Sequence, residues 1–117
     1  MVQPKQKIKK KYRSHPAAVW KTIECIARGY APKQIWLYGS FARGDFHQGS
    51  DLDLIIIKDT AKKFPDRIEE VLQHVPGGIA VEPMIYTPRE LESMISERNA
   101  FLEQAFSEGL LVYEQQS

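Results

Sequence analysis

Apolar residues recur along this chain with two periods, and the changes of period mark out its elements. Val19, Ile23 and Ile26 follow the three-to-four-residue spacing of a helix face. Ahead of them, Ser14-His15-Pro16 supplies a capping hydroxyl and a proline suited to the first turn, and Gly29 is the expected stop. After Pro32 the pattern shortens to Ile35-Trp36-Leu37-Tyr38, a strand of β-formers. Gly39-Ser40 ends it, and Phe41-Ala42-Arg43 makes a brief helical turn before Gly44.

The run 52–57 is apolar on both faces beyond Asp53, which predicts a central strand. Asp66, with Glu69 three residues on, reads as the cap of a second long helix. Its buried stripe would be Ile68, Val71, Leu72 and Val75, broken by Pro76-Gly77-Gly78. Residues 79–86 predict another strand. Thr87-Pro88-Arg89-Glu90 has the form of a capping box with proline at the first helical position, and Leu91, Met94 and Ile95 form the buried face behind it. Asn99 opens one more helix, expected to bury Phe101, Leu102, Ala105 and Phe106 before Gly109. Residues 110–113 add a last strand. The order predicts an α/β (α+β) domain, a small mixed sheet with helices packed on it. Trp20 and Trp36 are expected in its core.

Composition narrows this further. The chain has 117 residues, 43% hydrophobic and 26% charged, which suits one domain with one core. No stretch approaches the run of about 18 apolar residues that a membrane span needs, and no apolar segment follows the basic start to make a secretory signal. Cys25 is the only cysteine, expected as a small buried apolar residue. Cytoplasmic residence without membrane contact is the simplest expectation.

The net charge of +1 conceals an asymmetry. Lys5, Lys7, Lys9, Lys10, Lys11 and Arg13 fall in residues 1–13, which contain no acid; without those six cations the remainder stands at −5. The expected organisation is a basic, flexible arm over 1–13 and a folded domain over 14–117. Contact with nucleic acid is expected only through that arm.

Three features carry chemistry. Asp51 and Asp53 stand two apart at the head of the central strand, so both carboxylates project to one face. Like charges so close disfavour each other's ionisation unless a cation lies between them, and hard oxygen ligands suit Mg²⁺ or Mn²⁺. Gly39-Ser40 follows a strand and opens a turn, where glycine lets backbone approach a ligand and outward amides favour phosphate. Glu82 lies within an apolar run, and a strand neighbouring Asp51 and Asp53 would make it a third acid. On an edge strand, which Pro83 favours, it would simply face solvent. His15, His47 and His74 have no metal-site spacing; His47, in the loop before the acids, could touch substrate but reads better as a surface residue.

In combination these features are specific. Gly39-Ser40-Phe41-Ala42-Arg43-Gly44, five residues, then Ser50-Asp51-Leu52-Asp53-Leu54 resembles the G-S-x-A-R-G-x5-S-D-x-D-L signature of minimal nucleotidyltransferases. These are small members of the DNA polymerase β superfamily, and the weaker similarity extends over roughly residues 35–113. The resemblance implies a polymerase β-like nucleotidyltransferase fold. It implies that Gly39 and Ser40 cradle the β- and γ-phosphates of a nucleoside triphosphate, and that Arg43 and Ser50 sit in the nucleotide-binding set. Asp51, Asp53 and Glu82 would be the catalytic and metal-binding acids, holding two Mg²⁺ ions. One departure stands out: the third acid of the family is commonly aspartate. The implied reaction moves AMP from ATP to an acceptor hydroxyl on a protein. The implied partner is a HEPN-family protein of a toxin–antitoxin module, with a homo-oligomer as the other option. The alternative is an antitoxin subunit that neutralises such a partner by binding alone. Arg43 could equally be structural, fixing its turn through Asp45.

Overall fold

The computed structural model describes residues 16–116. The expected basic arm, the capping hydroxyl of Ser14, and His15 lie outside them. Helix α1 (Ala17–Tyr30) leads into strand β1 (Gln34–Tyr38), a short turn α2 (Ser40–Arg43), and strand β2 (Leu52–Ile57). Helix α3 (Phe64–Leu72), strand β3 (Val81–Tyr86), helices α4 (Pro88–Ser96) and α5 (Ala100–Glu108), and strand β4 (Leu110–Glu114) complete it. The sheet has the order β3-β2-β1-β4. β1 is antiparallel to β2 and β4, whereas β2 and β3 are parallel and joined through α3. The sheet is therefore mixed, and β2 is interior, as its two-sided apolar pattern requires.

Alternation along the strands divides the core in two. One face of the sheet presents Ile35, Leu37, Leu52, Leu54, Ile56 and Ile85 to α1 and to Val71 of α3. The opposite face carries Ile55, Ile57 and Tyr86, covered by Leu102 and Ala105 of α5 and by the half-buried Leu91 and Met94 of α4. None of α4's residues is fully buried.

Several local expectations are corrected. Pro16 takes the N-cap position of α1 rather than its first turn. The helix runs through Gly29, and Ala31 ends it in the left-handed region with φ 53°. Gly29 has another role: a β-carbon there would collide with the His74 ring. Asp66 does not cap α3. Lys63 is the N-cap, without a side-chain bond, and Pro65 occupies the first turn. Proline's fixed φ suits that position, so the helix starts three residues earlier than expected and Asp66 becomes a first-turn acid at its positive end. Strand β3 begins at Val81 rather than residue 79. Leu72, Ile95 and Phe101 were expected inside but are 42%, 45% and 45% exposed. Trp20 and Trp36 pack only partly buried at the margins of the two clusters. Cys25 is likewise half-buried.

The caps of the last two helices form as predicted. The Thr87 side chain accepts from Glu90 N at 3.1 Å while Thr87 N donates to Glu90 Oε1 at 2.9 Å. Leu102 N donates to Asn99 Oδ1 at 3.0 Å. Among the described residues no helix is long and apolar enough to cross a membrane.

Candidate active site

Strand register builds the site. Asp53 of β2 pairs with Tyr38 of antiparallel β1 and with Glu82 of parallel β3. Residues directly opposite in a ladder share a face, so Tyr38, Asp53 and Glu82 form a row across three strands. The row lies on the face that α4 and α5 cover farther along. Asp51, two residues before Asp53, adds a third carboxylate at the strand's mouth. Asp53 is half-buried, while Asp51 and Glu82 are exposed. Both sequence readings of Glu82 therefore describe it: β3 is an edge strand, and Glu82 also stands beside Asp53.

The electrostatics reflect this crowding. Burial, then the Glu82 and Asp51 carboxylates and a hydrogen bond with Glu82, push the Asp53 carboxyl up to about 6, with Arg43 partly opposing. Burial and the neighbouring Asp53, Tyr86 and Glu82 push the Tyr38 phenol up to about 12. Tyr38 is therefore a neutral phenol at physiological pH.

The Gly39–Ser40 turn lies against the same carboxylate. Gly39 has φ 73° and ψ −151°, and a β-carbon there would strike Asp53 Oδ2. That backbone conformation is essentially reserved for glycine. Gly39 O accepts from Ala42 N and Arg43 N, both at 3.0 Å, which closes the turn. Beside Asp51 a groove of about 590 Å³ runs between Phe41, the 45–51 loop and residues 78–80.

Arg43 and Ser50 have protein partners. Arg43 Nε lies 3.2 Å from Asp45 Oδ2 and Nη1 3.5 Å from Glu108 Oε2, so it braces its own turn against the end of α5. It remains near enough to Asp53 to favour that carboxylate's ionised form. Ser50 Oγ accepts from His47 N at 2.9 Å and Ser50 N donates to His47 O at 3.0 Å, closing the loop that delivers Asp51. His47 Nδ1 accepts from Gly49 N at 3.1 Å within that loop.

Among the described residues no group of three or more His, Cys, Asp or Glu side chains is already arranged to hold a metal ion. The donor set nonetheless fits Mg²⁺. That ion is usually bound by one or two carboxylates, with water and substrate phosphate completing its octahedron, rather than by an all-protein cage. A half-buried carboxylate resisting ionisation beside two others is the arrangement a divalent cation relieves.

One structural centre carried no sequence signal. Arg67 is buried, with Nη1 2.7 Å and Nη2 2.9 Å from the two Glu90 oxygens. It also donates to Ile85 O at 3.1 Å and Lys62 O at 2.7 Å. It ties α3, β3 and α4 together.

Comparison with known proteins gives the family and the fold. The family model "Polymerase beta, Nucleotidyltransferase" matches residues 21–117. The chain belongs to that family. Its fold is similar to a 1.40 Å crystal structure of a protein from Sulfolobus solfataricus inferred to be a nucleotidyltransferase. The two share 14% identity and a TM-score of 0.50 over 87% of this chain and 92% of the other, a likeness of fold alone. Among curated proteins, none matches the chain.

Proposed function

We propose that this chain is a Mg²⁺-dependent nucleotidyltransferase that moves AMP from ATP onto a hydroxyl of a partner protein. The observation that carries the reading is the register of Asp53 opposite Glu82, with the Gly39 turn pressed on Asp53 and Asp51 beside it. Asp51, Asp53 and Glu82 would hold the metal, whose positive charge stabilises the entering and leaving oxygens of an in-line displacement. Gly39 and Ser40 would receive the β- and γ-phosphates through backbone amides and the serine hydroxyl. Arg43 and Ser50 would hold the turn and the loop in place and add polar contacts to the nucleotide. In the transfer, the acceptor oxygen forms a bond to the α-phosphorus while the bond to the bridging oxygen of the β-phosphate breaks and pyrophosphate leaves. The acceptor's proton passes to a carboxylate of the row, with Glu82 at the open strand edge best placed to take it. A HEPN-family protein is the proposed acceptor, in a cytoplasmic setting suited to the free Cys25 thiol.

A second reading, neutralisation of the same partner by binding alone, draws support from the glutamate in third place. One experiment separates the two. ATP labelled at the α-phosphate is incubated with the chain, Mg²⁺ and a HEPN-type partner. Label should enter the partner, and Asp51→Ala combined with Asp53→Ala should abolish its incorporation. A double variant that still neutralises the partner fully would decide for binding alone.

A further inference from the structure

The acid row has two flanks. On one side lies the open edge strand with Glu82. On the other, Tyr38 carries an aromatic partner, Phe101, with ring centroids 5.7 Å apart and planes at 83°. Phe101 lies in the first turn of α5, where Leu102 and Ala105 point into the core, yet it is 45% exposed. A lone exposed apolar side chain needs no explanation. Phe101 is distinguished by its position, next to the residue that pairs with Asp53 and that directly precedes the Gly39–Ser40 turn.

We propose that Phe101 is the stacking platform for the nucleobase of the nucleoside triphosphate, an inference that rests on reading the acid row as a nucleotide site. The perpendicular contact with Tyr38 holds the ring by an edge-to-face interaction and leaves part of it open to solvent. A nucleotide with its outer phosphates on Gly39–Ser40 and its α-phosphate at Asp53 has its nucleoside within reach of that open side. The exposed Glu82 edge is thereby left to the acceptor. Stacking on an aromatic face needs no hydrogen-bond readout, so the platform accepts any base.

The test compares Mg²⁺-ATP with Mg²⁺-tripolyphosphate, which has the phosphates and no base, by calorimetry on the whole chain. Phe101→Ala is expected to weaken ATP binding by about 5- to 100-fold and to leave tripolyphosphate within about twofold, given the usual strength of base–aromatic stacking. Phe101→Trp should retain ATP binding, and its added emission, after subtraction of the signal from Trp20 and Trp36, should be quenched by ATP and not by tripolyphosphate. Unchanged ATP affinity in Phe101→Ala overturns the platform while the nucleotide site stands, and would turn Phe101 into an acceptor contact. Equal loss of both ligands also overturns it, because Phe101 would then only brace Tyr38. A wild-type chain that binds neither ligand overturns the nucleotide-site reading, and the platform with it.

Discussion

Asparagine in place of Asp53 keeps the shape of the side chain and removes its charge. In the folded chain that charge is half-buried beside Glu82 and Asp51, and the carboxyl is raised from 3.8 to about 6. A group whose folded pKa exceeds its unfolded one binds more protons in the folded state between the two values. Stability therefore falls as pH rises through that window and stays lower above it. A shift of about two pK units corresponds to ~3 kcal/mol. Solvent screening at a half-exposed carboxylate reduces this to on the order of 1–2 kcal/mol. Without divalent metal, Asp53→Asn should thus stabilise the protein by about that amount at pH 7.5, or roughly 5–10 °C in Tm for a domain of this size. The gain should shrink toward zero as pH is lowered through about 6 to 4, where wild-type Asp53 becomes protonated in the folded and then also in the unfolded state. Excess Mg²⁺ should reverse the order, since only the wild type retains the full ligand set and a ligand that binds the native state stabilises it. Urea unfolding followed by far-ultraviolet circular dichroism, in chelator and in Mg²⁺ from pH 4.5 to 8, measures all of this. An asparagine variant less stable than wild type in chelator at pH 7.5, or a difference that does not vary with pH, would refute the claim that the three acids strain one another.

Three further outcomes are expected. Gly39→Ala should cost about 1–3 kcal/mol for the glycine-only backbone conformation and remove nucleotide transfer, because its β-carbon displaces the Asp53 carboxylate; combining it with Asp53→Ala should recover part of the stability, read by urea unfolding. Glu90→Ala should cost about 2–4 kcal/mol, since it leaves buried Arg67 without its bidentate partner and opens the capping box; a double-mutant cycle with Arg67→Met checks it, and a cost below about 1 kcal/mol would contradict the pairing. Ser50→Ala should cost no more than about 1 kcal/mol, the worth of one exposed loop hydrogen bond, and should change kcat by altering the delivery of Asp51 more than it changes the ATP Kd from calorimetry.

Much of the site was legible because its parts are local. Asp53 lies on β2 and Asp51 just ahead of it, near enough to act on its carboxyl, as a two-residue spacing at a strand head leads one to expect. The Gly39–Ser40 turn follows from glycine after a run of β-formers, and the Thr87–Glu90 box from a four-residue pattern. These devices act within a few residues, so neighbouring chain contains all the information they need. Misplaced boundaries arose where two local signals competed. Asp66 and Pro65 both suit a helix start, and proline's fixed φ took the first turn. Gly29 suits a helix end, but the helix continued through it and the missing side chain made room for His74. Phe101 and Ile95 matched the helical period yet lie outside, because two short helices cannot cover the sheet with every apolar residue they carry.

The sequence by itself determined the elements, the mixed α/β architecture, and the signature joining a phosphate-type turn to two acids at the head of one strand. Each of these depends on backbone preference and side-chain period, which act over short stretches. Only the tertiary structure decided that Glu82 stands opposite Asp53, that Tyr38 and Phe101 flank the row, and that Arg67 clamps Glu90 from 23 residues away. Strand register and helix docking are set by packing between segments distant in the chain. The energies that choose among alternative pairings exist only once the core has closed around them.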